Sequence, residues 1–189
     1  MATLYIPVGY PIGRVPGSKG TTGVIATSQG ETSVNDTQLA LWQQAFLSHT
    51  PADVTEALTE LIGEEAPDAA EVESWMDELA GMGLLVKISD DPLTAITSLR
   101  PYIWYRCGVG LGIDESRSGV YLVIDSVTGQ TLDLEPMTFH CWRLAPYYGN
   151  LGALVDELGK SSPKEAVARS VFEVVVDGAG ALGYLLPPL

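Results

Sequence analysis

The chain repeats itself, and a duplicated unit constrains the fold more than any local pattern can. The stretch SVNDTQLALWQQA (33–45) returns one hundred residues later as DLEPMTFHCWRLA (133–145). Val34 then pairs with Leu134, Leu39 with Phe139, Trp42 with Trp142 and Ala45 with Ala145. The surrounding order is kept as well. GVIATSQGET (23–32) corresponds to VYLVIDSVTGQT (120–131), and ALTELIG (57–63) to ALVDELG (153–159). Pro67 answers Pro163, YIPVGYPIG (5–13) answers YRCGVGLG (105–112), and GLL (83–85) answers GYL (183–185) if the second copy carries four extra residues. An ordered series of this kind predicts two small units of similar architecture, 1–88 and 99–189, joined by SDDPLTAITS (89–98) as a linker.

Both copies read alike at the level of elements. The apolar runs 23–26 and 120–124 are β-branched and end at SQGE and SVTGQ, a hairpin signal with return strands at 31–34 and 130–134. Asn35 or Asp36 caps a first helix in copy one; in copy two Glu135–Pro136 opens it, proline being acceptable in a first turn. Leu39, Trp42 and Phe46 share one face of that helix, and Phe139, Trp142 and Ala145 share its counterpart. A second helix carries Val54, Leu58, Leu61 and Ile62, or Leu151, Leu154, Val155 and Leu158. A third starts after Pro67–Asp68 and spaces Val72, Trp75, Met76 and Leu79 at i, i+3, i+4, i+7, before Gly81 and Gly83 end it and LLVKI (84–88) closes the unit as a strand. VFEVVV (171–176) is β-branched enough for a strand, but the repeat predicts helix.

Composition narrows the function classes. Hydrophobic residues at 46% supply a core for each half, although a unit of roughly 90 residues buries only about 60% of its unfolded surface. The amino terminus has no basic cluster before a long apolar run, and no stretch approaches the roughly 18 apolar residues of a membrane span. Two cysteines, Cys107 and Cys141, make no disulfide framework and fit a reducing cytoplasm. The net charge of −14 is uneven: residues 1–92 carry three basic against fourteen acidic residues, and 93–189 carry seven against ten. Nucleic acid and anionic membrane surfaces are both repelled by that balance.

A catalytic site needs titratable groups that converge, and the sequence offers few. His140 and Cys141 adjoin on a helix and point apart, which suits no shared metal; a Cys141 nucleophile served by the distant His49 is less economical than a buried core cysteine. GRVPGSK (13–19) has the flavour of a phosphate-binding loop but is one residue short, and a serine separates glycine from lysine. GVGLG (108–112) precedes a strand, not a helix, so hairpin or bulge glycines explain it. SSPK (161–164) matches a nucleophile pattern too short to carry weight alone. The acidic pairs Glu64–Glu65 and Asp77–Glu78 read as a solvated face. These features predict a protein that is not an enzyme and binds neither cofactor nor metal.

The Gly turn followed by Val34–Asn35–Asp36–Thr37 and the apolar–Trp pair Leu41–Trp42 resembles the PqqD-like fold, also called the RiPP recognition element, a small winged-helix relative. Copy two departs from it, with Glu135–Pro136 in place of the asparagine-led turn, so its helix must be capped differently. The resemblance covers most of both halves and implies an α+β chain of two tandem winged-helix-like units, each a small antiparallel sheet followed by three helices. Members of that family bind the leader segment of a ribosomally made precursor peptide and present it to a modifying enzyme. The leader adds beside the third strand and rests on the third helix, a β-augmentation in which main-chain bonds give affinity.

Carried onto this chain, the groove in copy one comprises 31–34, including Thr32 and Val34, with Val72, Trp75, Met76 and Leu79. In copy two it comprises Gln130, Thr131, Leu132, Asp133 and Leu134 with Val167, Val171 and Val174. Leaders of this kind are commonly acidic, so the less negative copy two is expected to be the binding copy. Three rivals remain: an enzyme using an unrecognised site, an acidic structural subunit of a larger complex, and a degenerate transcription regulator. The last is disfavoured because the third helix of copy one carries Asp68, Glu71, Glu73, Asp77 and Glu78 and no base before Lys87.

Overall fold

The structure, a computed structural model, describes residues 2–17, 20–63, 66–125 and 128–188. The chain is α+β, with seven α-helices and small antiparallel sheets among the described residues. It divides into two compact units, 1–90 and 91–188. Each sheet lies within one unit.

In the first unit β1 (Thr3–Pro7) pairs antiparallel with β5 (Leu85–Ser89), so the first and last strands lie side by side. Between them β2 (Tyr10–Gly17), β3 (Gly20–Thr27) and β4 (Gly30–Val34) form a three-stranded sheet in that order. Helix α1 (Asp36–Gln44) begins with a reciprocal capping box. The Gln38 N–H donates to Asn35 Oδ1 at 2.8 Å, and the Asn35 N–H donates to Gln38 Oε1 at 3.1 Å. Helix α2 (Pro51–Ile62) is capped by Thr50 with proline in its first turn, and α3 (Ala69–Gly81) by Asp68. Val72, Met76 and Leu79 are fully buried in one cluster with Ile25, Leu39, Trp42 and Val54. Leu61, expected on the apolar face of α2, is instead 81% exposed.

The second unit opens with α4 (Pro92–Leu99), capped by Asp91 and burying Ala95, Ile96 and Leu99. The expected linker 89–98 is therefore the end of β5 and nearly all of a packed helix. Proline in a first turn, behind an aspartate cap, is a helix start. Strand β6 (Ile103–Arg106) pairs with β10 (Gly183–Leu186), and β7 (Val109–Ile113), β8 (Tyr121–Ile124) and β9 (Thr131–Leu134) form the second three-stranded sheet. Then come α5 (Pro136–Leu144), a 3-10 turn at Ala145–Tyr147, α6 (Leu151–Leu158) and α7 (Lys164–Val176). Residues 171–176 are thus helical. Part of the hairpin signal SVTGQ, residues 126–127, lies outside the described residues.

From β1 to β5 and from β6 to β10 the same elements follow in the same order with the same strand pairings. The likeness extends to backbone detail. Both three-stranded sheets carry a register shift in their first strand, at Pro11/Gly13 and at Gly110/Gly112. Both first sheets are preceded by a glycine in the left-handed region, Gly9 at φ 96° and Gly108 at φ 80°. A Cβ there would lie 2.6 Å from Ala26 O in one case and 2.7 Å from Ile124 O in the other, so neither position accepts a side chain. Hydrogen bonding also corrects the alignment at the end of the repeat. Leu84 O accepts from Val8 N–H, and Leu182 O accepts from Cys107 N–H. Leu182 is therefore the partner of Leu84, and the second copy carries three extra residues between α7 and β10 instead of the expected four.

Candidate functional site

Strand β9 is the outer strand of its sheet, paired only with β8. Its register sets Leu132 opposite Val123 and Leu134 opposite Tyr121, and the Asp125 N–H donates to Gln130 O at 2.9 Å. Along an antiparallel pair these bonds recur at alternate residues. Gln130, Leu132 and Leu134 therefore turn their main-chain groups toward β8, while Thr131 and Asp133 turn theirs to the open edge. Side chains alternate in the perpendicular direction: Leu132 and Leu134 are half-buried, Thr131 and Asp133 exposed. Asp133 takes a two-pronged pair from Arg117, whose Nε also donates to Asp114 at 2.6 Å. The Ser116 hydroxyl donates to Asp114 as well, at 2.6 Å. Bonds from Ser116 and then Arg117 lower the Asp114 carboxyl to about 2.

The helix side of the expected groove is composed differently from the prediction. Val167, Val171 and Val174 are 0%, 1% and 2% exposed; they are core residues and line no groove. Spacing of i, i+4, i+7 selects the stripe a helix buries, so the surface it shows must come from other positions. Toward β9, helix α7 presents Glu173 and the following Asp177, which with Leu132, Leu134, Thr138 and Leu182 border a cavity of about 340 Å³. A second cavity of about 410 Å³ lies along the first half of α7, beside Met137, Glu165, Arg169 and Ser170. Glu135 and Glu173 border both. At the floor the Thr138 hydroxyl donates to Glu173 Oε2 at 2.7 Å, and the Ser170 hydroxyl lies 3.3 Å from the Thr138 oxygen.

The matching face of the first unit carries different side chains. By position in their helices, Gln38 corresponds to Thr138, Trp75 to Ser170 and Glu78 to Glu173. Trp75 packs half-buried against the core cluster. The Gln38 amide donates to Glu78 Oε1 at 3.2 Å and lies 3.9 Å from the Met82 sulfur. Of the residues expected to form a groove there, Val34, Val72, Met76 and Leu79 are buried in the core, Thr32 and Trp75 are half-buried, and Glu31 and Ser33 are exposed. Sequence reasoning missed Glu135, Thr138, Ser170, Glu173 and Asp177. A usable signal existed in the comparison of the copies, where a tryptophan and a glutamine become serine and threonine.

The remaining chemistry-bearing residues are dispersed. Burial, helped by the charge of Glu173, pushes the Cys141 thiol up to about 12, which leaves almost no thiolate at neutral pH. His49 Nδ1 lies 2.9 Å from Ala45 O, and His140 sits beside Arg143. Among the described residues no group of three or more His, Cys, Asp and Glu could hold a metal ion, and no helix is long and apolar enough to cross a membrane. GVGLG carries the β7 bulge, and residues 13–17 of GRVPGSK run along β2, while Ser18 and Lys19 lie outside the described residues. Lys164, of SSPK, is an exposed first residue of α7. Asp77 is not merely solvated, because it accepts from Tyr5 at 2.5 Å and pairs with Lys87 at 2.5 Å, which lowers its carboxyl. Glu64 and Glu65 lie outside the described residues.

No protein-family model, curated protein or solved structure matches the chain.

Proposed function

We propose that this chain is a non-catalytic peptide-binding module, built of two tandem winged-helix-like units of PqqD-like kind, whose second unit takes up an extended segment beside β9. In this reading the segment is the leader of a ribosomally made precursor, and the module hands the precursor to a modifying enzyme. The observation that carries the reading is the coincidence, in one unit, of an outer strand with outward main-chain groups and a trough between that strand and α7. An added strand satisfies the edge through main-chain bonds at Thr131 and Asp133, and side chains on alternate positions drop into the trough. The first unit keeps the architecture with Trp75 and Gln38 at the corresponding positions, which suits a structural or enzyme-docking role.

The test is selection of displayed random peptides on the full chain, followed by binding to proline variants. Thr131→Pro removes an outward donor and is tolerated on an edge strand. Leu132→Pro would instead break a bond to β8, so it is the wrong probe. Selected peptides should lose binding to Thr131→Pro and keep it to Ser33→Pro in the first unit, with both variants folded by circular dichroism. Equal binding to both, or no enrichment at all, rules the module out as a strand-adding receptor.

A second reading, an interaction subunit of a larger assembly, is favoured by the apolar rows on the first strands of both sheets. Val109, Leu111 and Ile113 are each more than half exposed, and Tyr10, Ile12 and Val15 repeat the pattern more weakly. Contiguous exposed apolar surface marks association sites. Charged substitutions at Leu111 and Ile113 that abolish a native assembly while sparing peptide binding would favour it.

A further inference from the structure

Granting that reading of β9, we infer that the peptide it accepts is cationic, with lysine or arginine on the face turned toward α7. The strand edge and the trough make the site; the charges around them decide what fits. Glu173 and Asp177 stand on the helix wall, Glu135 at the mouth of α5, and Asp133 on the strand. No Lys or Arg borders this first cavity, and only Arg169 borders the second. Asp133 is neutralised by Arg117. Among the described residues no Lys or Arg pairs with Glu135, Glu173 or Asp177.

A partner's ammonium or guanidinium group entering there would meet Glu135 and Glu173, two carboxylates that border the same cavities. Charge-assisted bonds of this kind are about twice as strong as neutral ones. An acidic segment would bring like charges into the same trough, and like-charge juxtaposition suppresses wrong partners. The acidic ligand that the resemblance implies is thus opposed by the local field. Six of the seven bases in residues 93–189, Arg100, Arg106, Arg117, Arg143, Lys160 and Lys164, border neither cavity, and Arg117 is spent on Asp114 and Asp133. Leu132, Leu134 and Leu182 leave room for apolar side chains between the basic ones.

The experiment uses two fluorescent synthetic peptides of about eight residues, a normal strand length, one alternating valine with lysine and the other valine with glutamate. Anisotropy is measured on the full chain and on Thr131→Pro, the pair Glu135→Gln with Glu173→Gln, and a control pair, Glu56→Gln with Glu60→Gln, on the exposed face of α2. The lysine peptide should bind and the glutamate peptide should not, with affinity falling about tenfold or more in Thr131→Pro and in the groove pair and unchanged in the control pair. If the glutamate peptide binds as well or better and is lost in Thr131→Pro, the cationic inference falls and the strand-adding reading stands. If the lysine peptide binds equally to all variants, it is held by general attraction to an acidic protein and both fall. Binding of neither peptide overturns the inference.

Discussion

Trp42 and Trp142 each donate the indole N–H, at 3.0 Å, to one carbonyl of the fold, Leu84 O in the first unit and Leu182 O in the second. Each carbonyl also accepts a backbone N–H, from Val8 at 2.9 Å and from Cys107 at 2.8 Å. Both lone pairs of a carbonyl beside the closing strand are thereby satisfied, and the opening segment, the first helix and the end of the unit meet there. The rings themselves are 0% and 2% exposed.

Truncating Trp142 to alanine should destabilise the chain by about 3–5 kcal/mol, on the pattern of large-to-small core changes. Trp142→Phe keeps most of the volume and loses the indole bond, while Leu182 O retains Cys107, so its cost should be smaller, about 1–2 kcal/mol. Urea denaturation of the two variants should rank them in that order. Equal costs would mean the hydrogen bond carries the whole effect.

The two cysteines should separate in reactivity. Cys141 is 1% exposed and its thiol is pushed up to about 12, whereas Cys107 is only half-buried, its thiol raised by burial alone. A thiol-specific chromogenic reagent at neutral pH should modify Cys107 first and reach Cys141 only after denaturant is added. Prompt modification of both would show that α5 opens in the native state.

Much of the fold was legible because it is written twice. Where one copy was ambiguous the other arbitrated, as at 171–176, whose valines suit a strand but whose counterpart in α3 is unmistakably helical. The candidate site was less legible for the same reason. Periodicity identifies what a helix buries, so it pointed to Val167, Val171 and Val174. The groove depends on what the copies do not share, Ser170 for Trp75 and Thr138 for Gln38, and on which main-chain groups of β9 face outward. That second property follows from register, which apolar alternation alone does not fix.

The loop between β7 and β8 should respond to acid in a defined window. Asp114 is lowered from 3.8 to about 2, and Asp133 is also lowered, by its bonds to Arg117. A depressed carboxyl contributes stability above its unfolded value, and that contribution is lost as the pH falls through the folded one. The Arg117 contacts should thus persist at pH 5 and disappear as the pH approaches about 2. Carboxyl NMR titration should place the Asp114 midpoint well below 3.8, and Arg117→Ala should raise it part of the way back. An unchanged midpoint in that variant would assign the whole shift to Ser116.

Duplex DNA should not bind measurably at physiological salt, because a chain of net charge −14 offers little surface for counterion release. Anisotropy with a labelled random duplex reads this directly. Micromolar binding with a steep salt slope would restore the regulator as the leading alternative.

Helix starts in the two units should tolerate alanine differently. Asn35→Ala removes the side-chain acceptor of a capping box, leaving the backbone N–H of residue 35 on Gln38, and should cost about 1 kcal/mol, while Glu135→Ala, whose carboxylate makes no capping bond, should leave the midpoint of thermal unfolding unchanged. Matching losses in the two variants would show that Glu135 caps α5 in solution.

Helix α5 starts on a pyrrolidine ring where α1 starts on an amide side chain. Pro136 presets the φ of the first turn and Glu135 makes no capping bond, so the side chain of residue 135 does not hold the helix start together. In the first unit residue 35 has no such liberty. Inheritance can therefore explore position 135, at the lip of the trough, without each trial being judged by whether the protein folds. A unit that frees one residue at its open edge in this way gains a place where surface chemistry can change at little cost in stability, a freedom that residue 35 of its counterpart lacks.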